Sequence, residues 1–238
     1  MPWKLALLCK MAGMQHPAGA SLAAYCDVDG TLTDTTIVAP LVYVKRHALK
    51  PPWRWLWLAS LLAHAPWWLI LDALDRAASN RAIYRHYRGV PVDLMRSVAP
   101  DFGRRYLHGR IFPQARQRLE ALRSQGVRIV LVTGGLDVFL ESLIAEWEAD
   151  VLAPHLEQAN GKYTGRVLPE PFTGEVKARL LREHAARHGL DLKSCYAFGD
   201  AYGDLPMLEC VGHPVAVNPD RRLRQIALER GWQVEKWR

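Results

Sequence analysis

Leu22-Ala23-Ala24-Tyr25-Cys26 is apolar throughout and gives way at once to Asp27-Val28-Asp29-Gly30-Thr31. A short apolar run bounded by a turn signal reads as a strand buried on both faces, the pattern of a parallel sheet. Parallel strands need crossover connections, usually helical, so this one feature predicts an α/β fold. It also delivers two carboxylates to the C-terminal end of a strand, the edge at which open α/β sheets bind ligands. Asp27 and Asp29 stand one residue apart, so their side chains point differently; one can attack while the other handles protons. Taken alone, an acidic turn after a strand fits the same residues.

Three later segments repeat the arrangement. Val127-Arg128-Ile129-Val130-Leu131-Val132 is a second β-rich run and ends in Thr133-Gly134-Gly135, ahead of a helical pattern through Leu136, Phe139, Leu140, Leu143, Ile144 and Trp147. A hydroxyl and flexible backbone amides at a helix N-terminus make an anion site. Lys177 falls in the first turns of a helical stretch that begins near Gly174 and ends at Gly189. Ser194-Cys195-Tyr196-Ala197-Phe198 is a further strand, and Gly199-Asp200 with Asp204 again puts two carboxylates just past its end.

With these four segments in order, the chain resembles the haloacid-dehalogenase-like (HAD) phosphatases. Asp27-Val28-Asp29-Gly30-Thr31 is similar to that family's first motif, Thr133 to its second, Lys177 to its third, and Gly199-Asp200 with Asp204 to its fourth. The resemblance implies a three-layer Rossmann-like fold, a mainly parallel sheet with an inserted α-helical cap. It implies Asp27 as nucleophile, Asp29 as general acid/base, and Thr133, Gly134 and Lys177 as phosphate ligands. Asp27, Asp29 and Asp200 are the implied Mg²⁺ ligands, with Asp204 supporting Lys177 or a metal-bound water. An acid two residues after the nucleophile points to phosphoryl transfer rather than to the family's dehalogenase branch.

The chemistry needs these residue types. A phosphomonoester dianion repels an attacking carboxylate, so nearby positive charge and donors for the phosphoryl oxygens are required. Carboxylates suit Mg²⁺, which prefers oxygen ligands. Attack by Asp27 divides the displacement into two steps through an aspartyl-phosphate. Asp29 protonates the leaving alkoxide and then activates water, help worth about 10²–10⁴ in rate. The expected activity is Mg²⁺-dependent hydrolysis of a small phosphorylated metabolite or a phosphorylated lipid headgroup. A phosphotransferase returning the phosphoryl group to an alcohol would use the same residues, and a non-catalytic binding module on this scaffold is the remaining alternative.

At 238 residues the chain accommodates one core with an inserted lobe. The boundaries expected are a catalytic core over residues 20–34 and 110–238, a helical cap over 35–109, and an N-terminal extension over 1–19. In the resembling family, the cap's place after the first motif is that of the phosphoserine-phosphatase subgroup. Phosphoserine phosphatases carry a glutamate shortly after that motif to hold the substrate amine, and Thr36 occupies the place here, so phosphoserine specificity does not follow. The balance is basic, a net charge of +7 and a pI of about 9.4. That suits anionic substrates or an anionic membrane surface, and no nucleic-acid motif accompanies the charge. Cys9, Cys26, Cys195 and Cys210 lack metal spacing and read as reduced structural thiols. His47, His64, His86, His108, His184 and His188 are likewise read as scattered. A reducing cytoplasmic setting follows.

Residues 53–71, from Trp53 to Leu71, are apolar on nearly every helical face and carry tryptophans near both ends. Such a helix must be buried in protein or lipid. A cap core or dimer contact is one reading; the other is peripheral contact with the inner face of the membrane, as a surface-lying helix or a short hairpin broken near Pro66. Oligomeric state is left open. Arg81, Arg85 and Arg88 share one helical face, read as solvated ahead of a headgroup site. Downstream, His155-Leu156-Glu157-Gln158-Ala159 and Lys162-Tyr163-Thr164-Gly165-Arg166-Val167 flank Asn160-Gly161, the signature of a hairpin turn. Pro214-Val215-Ala216-Val217 is the last strand expected, with Asn218 either near the pocket or capping the Arg-rich helix that follows.

Overall fold

The computed structural model describes residues 22–238. The expected N-terminal extension and Cys9 lie outside them. Six parallel strands form one sheet: β1 (Ala23–Cys26), β2 (Arg128–Val132), β3 (Asp150–Leu152), β6 (Tyr196–Gly199), β7 (His213–Val217) and β8 (Gln233–Glu235), in the order β3-β2-β1-β6-β7-β8. The chain moves outward from β1 to β3 and then returns to the other side of β1. The reversal falls between β1 and β6, the switch point where a crevice opens at the strands' C-terminal ends.

Alternation along the strands divides the core in two. Ala24 and Cys26 of β1, with Ile129 and Leu131 of β2, face one side, together with Leu119 and Leu122 of α5 (Pro113–Ser124) and Leu143 and Trp147 of α6 (Glu141–Trp147). Ala23, Tyr25, Val130 and Val132 face the other, against Leu181 and Ala185 of α7 (Gly174–His188), Met207 and Leu208 of the single turn α8 (Leu205–Leu208), and Leu223 and Ala227 of α9 (Arg221–Glu229). Period-two burial on both faces gives three layers.

Between β1 and β2 the chain is helical: α1 (Val38–Ala48), α2 (Trp53–Leu74), α3 (Arg76–Arg85), α4 (Val92–Asp101) and a π-helical turn, Phe102–Leu107. The two ends of this insertion are tied together, Asp34 N donating to Arg110 O at 3.1 Å and Phe112 N to Leu32 O at 3.0 Å. Its apolar residues, among them Leu41, Val44, Ile83, Tyr84, Met95 and Phe102, run without a break into the α5–α6 side of the core. The antiparallel hairpin β4 (His155–Ala159) and β5 (Lys162–Leu168) docks on the insertion, with Gly89 N and Tyr163 O 2.9 Å apart and Val92 N and Gly161 O 3.0 Å apart. Asn160 and Gly161 both have positive φ, 50° and 72°, as a two-residue hairpin turn requires.

Four details differ from the sequence reading. The helix after Thr133-Gly134-Gly135 does not start there: a 3₁₀ turn, Asp137–Phe139, intervenes and α6 begins only at Glu141. Asp220, not Asn218, caps α9, its carboxylate accepting from Leu223 N at 2.8 Å; Asn218 instead accepts from Trp237 N at 2.9 Å. The helix α2 continues through Pro66 without a break. His184 and His188 are not scattered: with Asp150 they lie within 4.8 Å of one another. His184 uses both ring nitrogens, 3.1 Å from Tyr25 Oη and 3.2 Å from Asp150, which Arg128 also pairs at 2.8 Å. This buried network ties α7 to three strands.

Candidate active site

Asp27, Thr133 and Asp200 follow β1, β2 and β6, three adjacent strands, so parallel register alone collects them at one end of the sheet. Asp27 is held by its own backbone, Asp27 N donating to Phe198 O at 3.0 Å. Lys177 reaches the same point from the first turn of α7, and its Nζ donates to Asp27 Oδ1 at 2.6 Å and Asp204 Oδ1 at 2.7 Å. A cation there opposes the helix macrodipole, and the two carboxylates offset the cost. All three side chains are buried.

Asp27, Asp200 and Asp204 each offer a carboxylate oxygen, all within 4.8 Å of one another. Thr31 joins two of them, its hydroxyl 2.9 Å from Asp200 Oδ1 and 3.3 Å from Asp27 Oδ2. The loop that permits this closeness needs glycine. Gly30 has φ +85°, and a Cβ there would stand 2.4 Å from Asp200 Oδ2.

The Asp29 carboxylate is not one of the three. Its Oδ1 accepts from Thr35 Oγ1 at 2.6 Å, and Thr35 in turn meets Thr33 at 2.6 Å, so two hydroxyls orient the carboxyl. Of the expected Mg²⁺ ligands, the carboxylates of Asp27 and Asp200 meet in this cluster together with Asp204, while the Asp29 side chain points to Thr35. Thr133 Oγ1 accepts from Gly135 N at 2.8 Å, which folds the loop back beside Asp29.

Three carboxylates share a buried space in which Lys177 pairs with two of them, and the Arg76 charge also acts on Asp200. Burial lifts the Asp27 carboxyl well above its usual range; Lys177 opposes the rise, and Asp204 and Asp200 add to it. Asp200 is pushed up to about 6 by burial and by Asp204. Burial also raises Asp29, against the Thr35 hydrogen bond and the charges of Lys177 and Arg76. Burial works against the Lys177 charge, yet Asp204 and Asp27 outweigh it and hold the ammonium protonated. An all-oxygen cluster of three carboxylates fits a hard divalent cation.

The helical insertion supplies a second wall that no motif announced. Arg76 opens α3 and its guanidinium lies against Gly203, where a Cβ would be 3.0 Å from Nη1. One turn on, Asn80 is buried beside Gly134, and after another turn Tyr84 donates its hydroxyl to Gly134 O. Spacing of four along one helix face is the only sequence signal these residues carry. Their place over the site comes from tertiary packing.

The family profile for haloacid dehalogenase-like hydrolases matches residues 24–209, and the chain belongs to that family. Its helical insertion after the first motif is that of the phosphoserine-phosphatase-like branch, and it is a hydrolase of the phosphatase kind. A putative hydrolase of Mycobacterium leprae is 30% identical over 236 residues, covering 94% of this chain and 75% of the relative. A phosphoserine phosphatase of Mycobacterium tuberculosis, SerB1, is 31% identical over 94% of this chain and 73% of its own length. The solved structure of a protein of unknown function from Bordetella pertussis shares the fold, with a TM-score of 0.77 at 22% identity over 91% of this chain and 99% of that one.

Proposed function

We propose that the protein is a Mg²⁺-dependent phosphomonoester hydrolase that works through an aspartyl-phosphate on Asp27. The observation that carries this reading is the single buried point at which Lys177, Asp27 and Asp204 meet, with Asp200 tied to Asp27 through Thr31. Asp27 and Asp200 would hold the cation by their carboxylates, with Asp204 beside them; the cation supplies charge neutralisation at the phosphoryl oxygens.

Asp27 attacks phosphorus as its carboxylate, the form that Lys177 and a bound cation would favour against burial. The bond to the leaving oxygen breaks as the Asp27–phosphorus bond forms, and Asp29 gives that oxygen a proton. Burial raises the Asp29 carboxyl, the direction that favours its protonated, proton-donating form. Asp29 then takes a proton from water, which attacks the phosphorus and releases phosphate and free Asp27. Lys177, Thr133 and the amides around Gly134 steady the phosphoryl oxygens. Residues 35–109 act as a cap that excludes water and selects the leaving group through Arg76, Asn80 and Tyr84.

The substrate class is a small phosphorylated metabolite or a phosphorylated lipid headgroup. The presence of Thr36 where phosphoserine phosphatases hold the substrate amine argues against phosphoserine. Phosphate release from a panel of phosphomonoesters, with and without added alcohols, tests the reaction. Release of one phosphate per ester cleaved, unchanged by the alcohol, is expected. Phosphorylated alcohol in place of free phosphate would instead show a phosphotransferase.

A further inference from the structure

Helix α2 spans 22 residues, about 33 Å, and presents an apolar surface outward. Its inner side, through Trp57 and Trp68, packs on His86 at the end of α3, with ring centroids 6.1 and 5.4 Å away. Much of the rest of the helix is exposed, Trp55 65%, Leu56 58%, Leu62 74%, Trp67 61% and Ile70 52% away from His86, and Trp53 67% at its start. Alanines and Pro66 fill the spaces between them, and Ser60 and His64, nearer the Trp57 and Trp68 side, are turned back into the helix. Ser60 Oγ donates to Trp57 O at 2.8 Å, and His64 Nδ1 lies 2.6 Å from Ser60 O. An uninterrupted apolar face of this length exceeds what scattered surface hydrophobes produce.

Charge says what meets it. Residues 35–71 contain no Asp or Glu, while Lys45, Arg46, Lys50 and Arg54 cluster where α1 leads into α2. Lys45 Nζ lies 6.0 Å from the Trp57 ring, and Arg46 and Lys50 are exposed. Tryptophans toward both ends of an apolar face, with a carboxylate-free cationic margin, match a helix lying in a bilayer–water interface. Among the described residues no helix is long and apolar enough to cross a membrane. Both ends of α2 also return to the same body, α1 packing on the core and Arg76 reaching the Gly203 loop.

We propose that the outer face of α2 docks on an anionic lipid surface, with the cations before it meeting the headgroups. The C-terminal end of α2 is joined through Asp75 to Arg76, so docking holds the cap side of the site close to the membrane. The proposal goes beyond the hydrolase reading and does not depend on it.

The test is sedimentation of the full chain with vesicles of phosphatidylcholine and phosphatidylglycerol in equal parts, and with phosphatidylcholine alone. Binding to the anionic vesicles is expected, weaker on neutral ones, reduced but not abolished by salt. Replacing the exposed Trp53, Trp55, Trp67 and Ile70 with Ser should lower binding at least about tenfold, with thermal midpoint and turnover of a small soluble phosphomonoester unchanged. The double charge reversal Arg46→Glu, Lys50→Glu should remove the preference for anionic vesicles. Asp27→Asn should bind as wild type does, which separates this proposal from the catalytic one. Absence of vesicle binding by wild type, or equal binding by the four-Ser protein, would overturn it. So would a wild-type dimer that the four Ser substitutions convert to monomer, since the face would then be a subunit interface.

Discussion

Asp27→Asn should reduce phosphate release at least about a thousandfold, the scale seen when an enzyme loses its nucleophile. The amide is nearly isosteric, but it is a poor nucleophile and a weak ligand for a hard cation. The fold should survive. Burial and the neighbouring carboxylates make the Asp27 charge unfavourable when no cation is bound, and a neutral amide removes that repulsion. Lys177 keeps Asp204 as its partner. Circular dichroism and a thermal midpoint at or above that of wild type, measured in chelator, should accompany the lost activity. Near wild-type turnover by this variant would exclude Asp27 as nucleophile.

Removal of divalent cations should have an effect of similar size. Without a cation, three carboxyl groups crowd the point an anionic substrate must approach. Activity should vanish in chelator, return with Mg²⁺, and return poorly with Ca²⁺, whose larger and looser coordination would misplace the attacking carboxylate. Mg²⁺ should also raise the thermal midpoint, because a ligand bound only by the folded state stabilises it. Asp27→Asn, with one site carboxylate gone, should show a smaller rise. Full activity in rigorously metal-free buffer would refute the assignment.

Much of the fold could be read from the sequence because β1, β2, β6 and β7 are buried on both faces and so appear as apolar runs. Strands β3 and β8 could not. Asp150-Val151-Leu152, with one polar end, and Gln233-Val234-Glu235, with two, are three residues each, and only pairing to β2 and β7 makes them strands. The site divides in the same way. Asp27, Thr133 and Asp200 stand at strand ends and Lys177 at a helix start, so local pattern exposes them. Arg76, Asn80 and Tyr84 lie on an inserted helix whose position over the sheet is set by distant contacts, and no local pattern marks them. The Tyr25–His184–Asp150 network draws on three elements far apart in sequence, which is why the histidines looked isolated. For α2 the composition announced an apolar helix, but only packing against His86 shows which tryptophans face inward.

The central claim is that Asp27 carries the phosphoryl group between two steps, and it can be tested by trapping. Asp29→Asn lacks the group that activates water in the second step, so with an activated ester, whose leaving group needs no protonation, it should accumulate the intermediate. Rapid acid quench and peptide mass mapping should find a phosphate on the peptide containing Asp27, absent when Asp27 is also replaced by Asn. Normal turnover by Asp29→Asn with no phosphorylated peptide, or phosphate on another residue, would contradict the account.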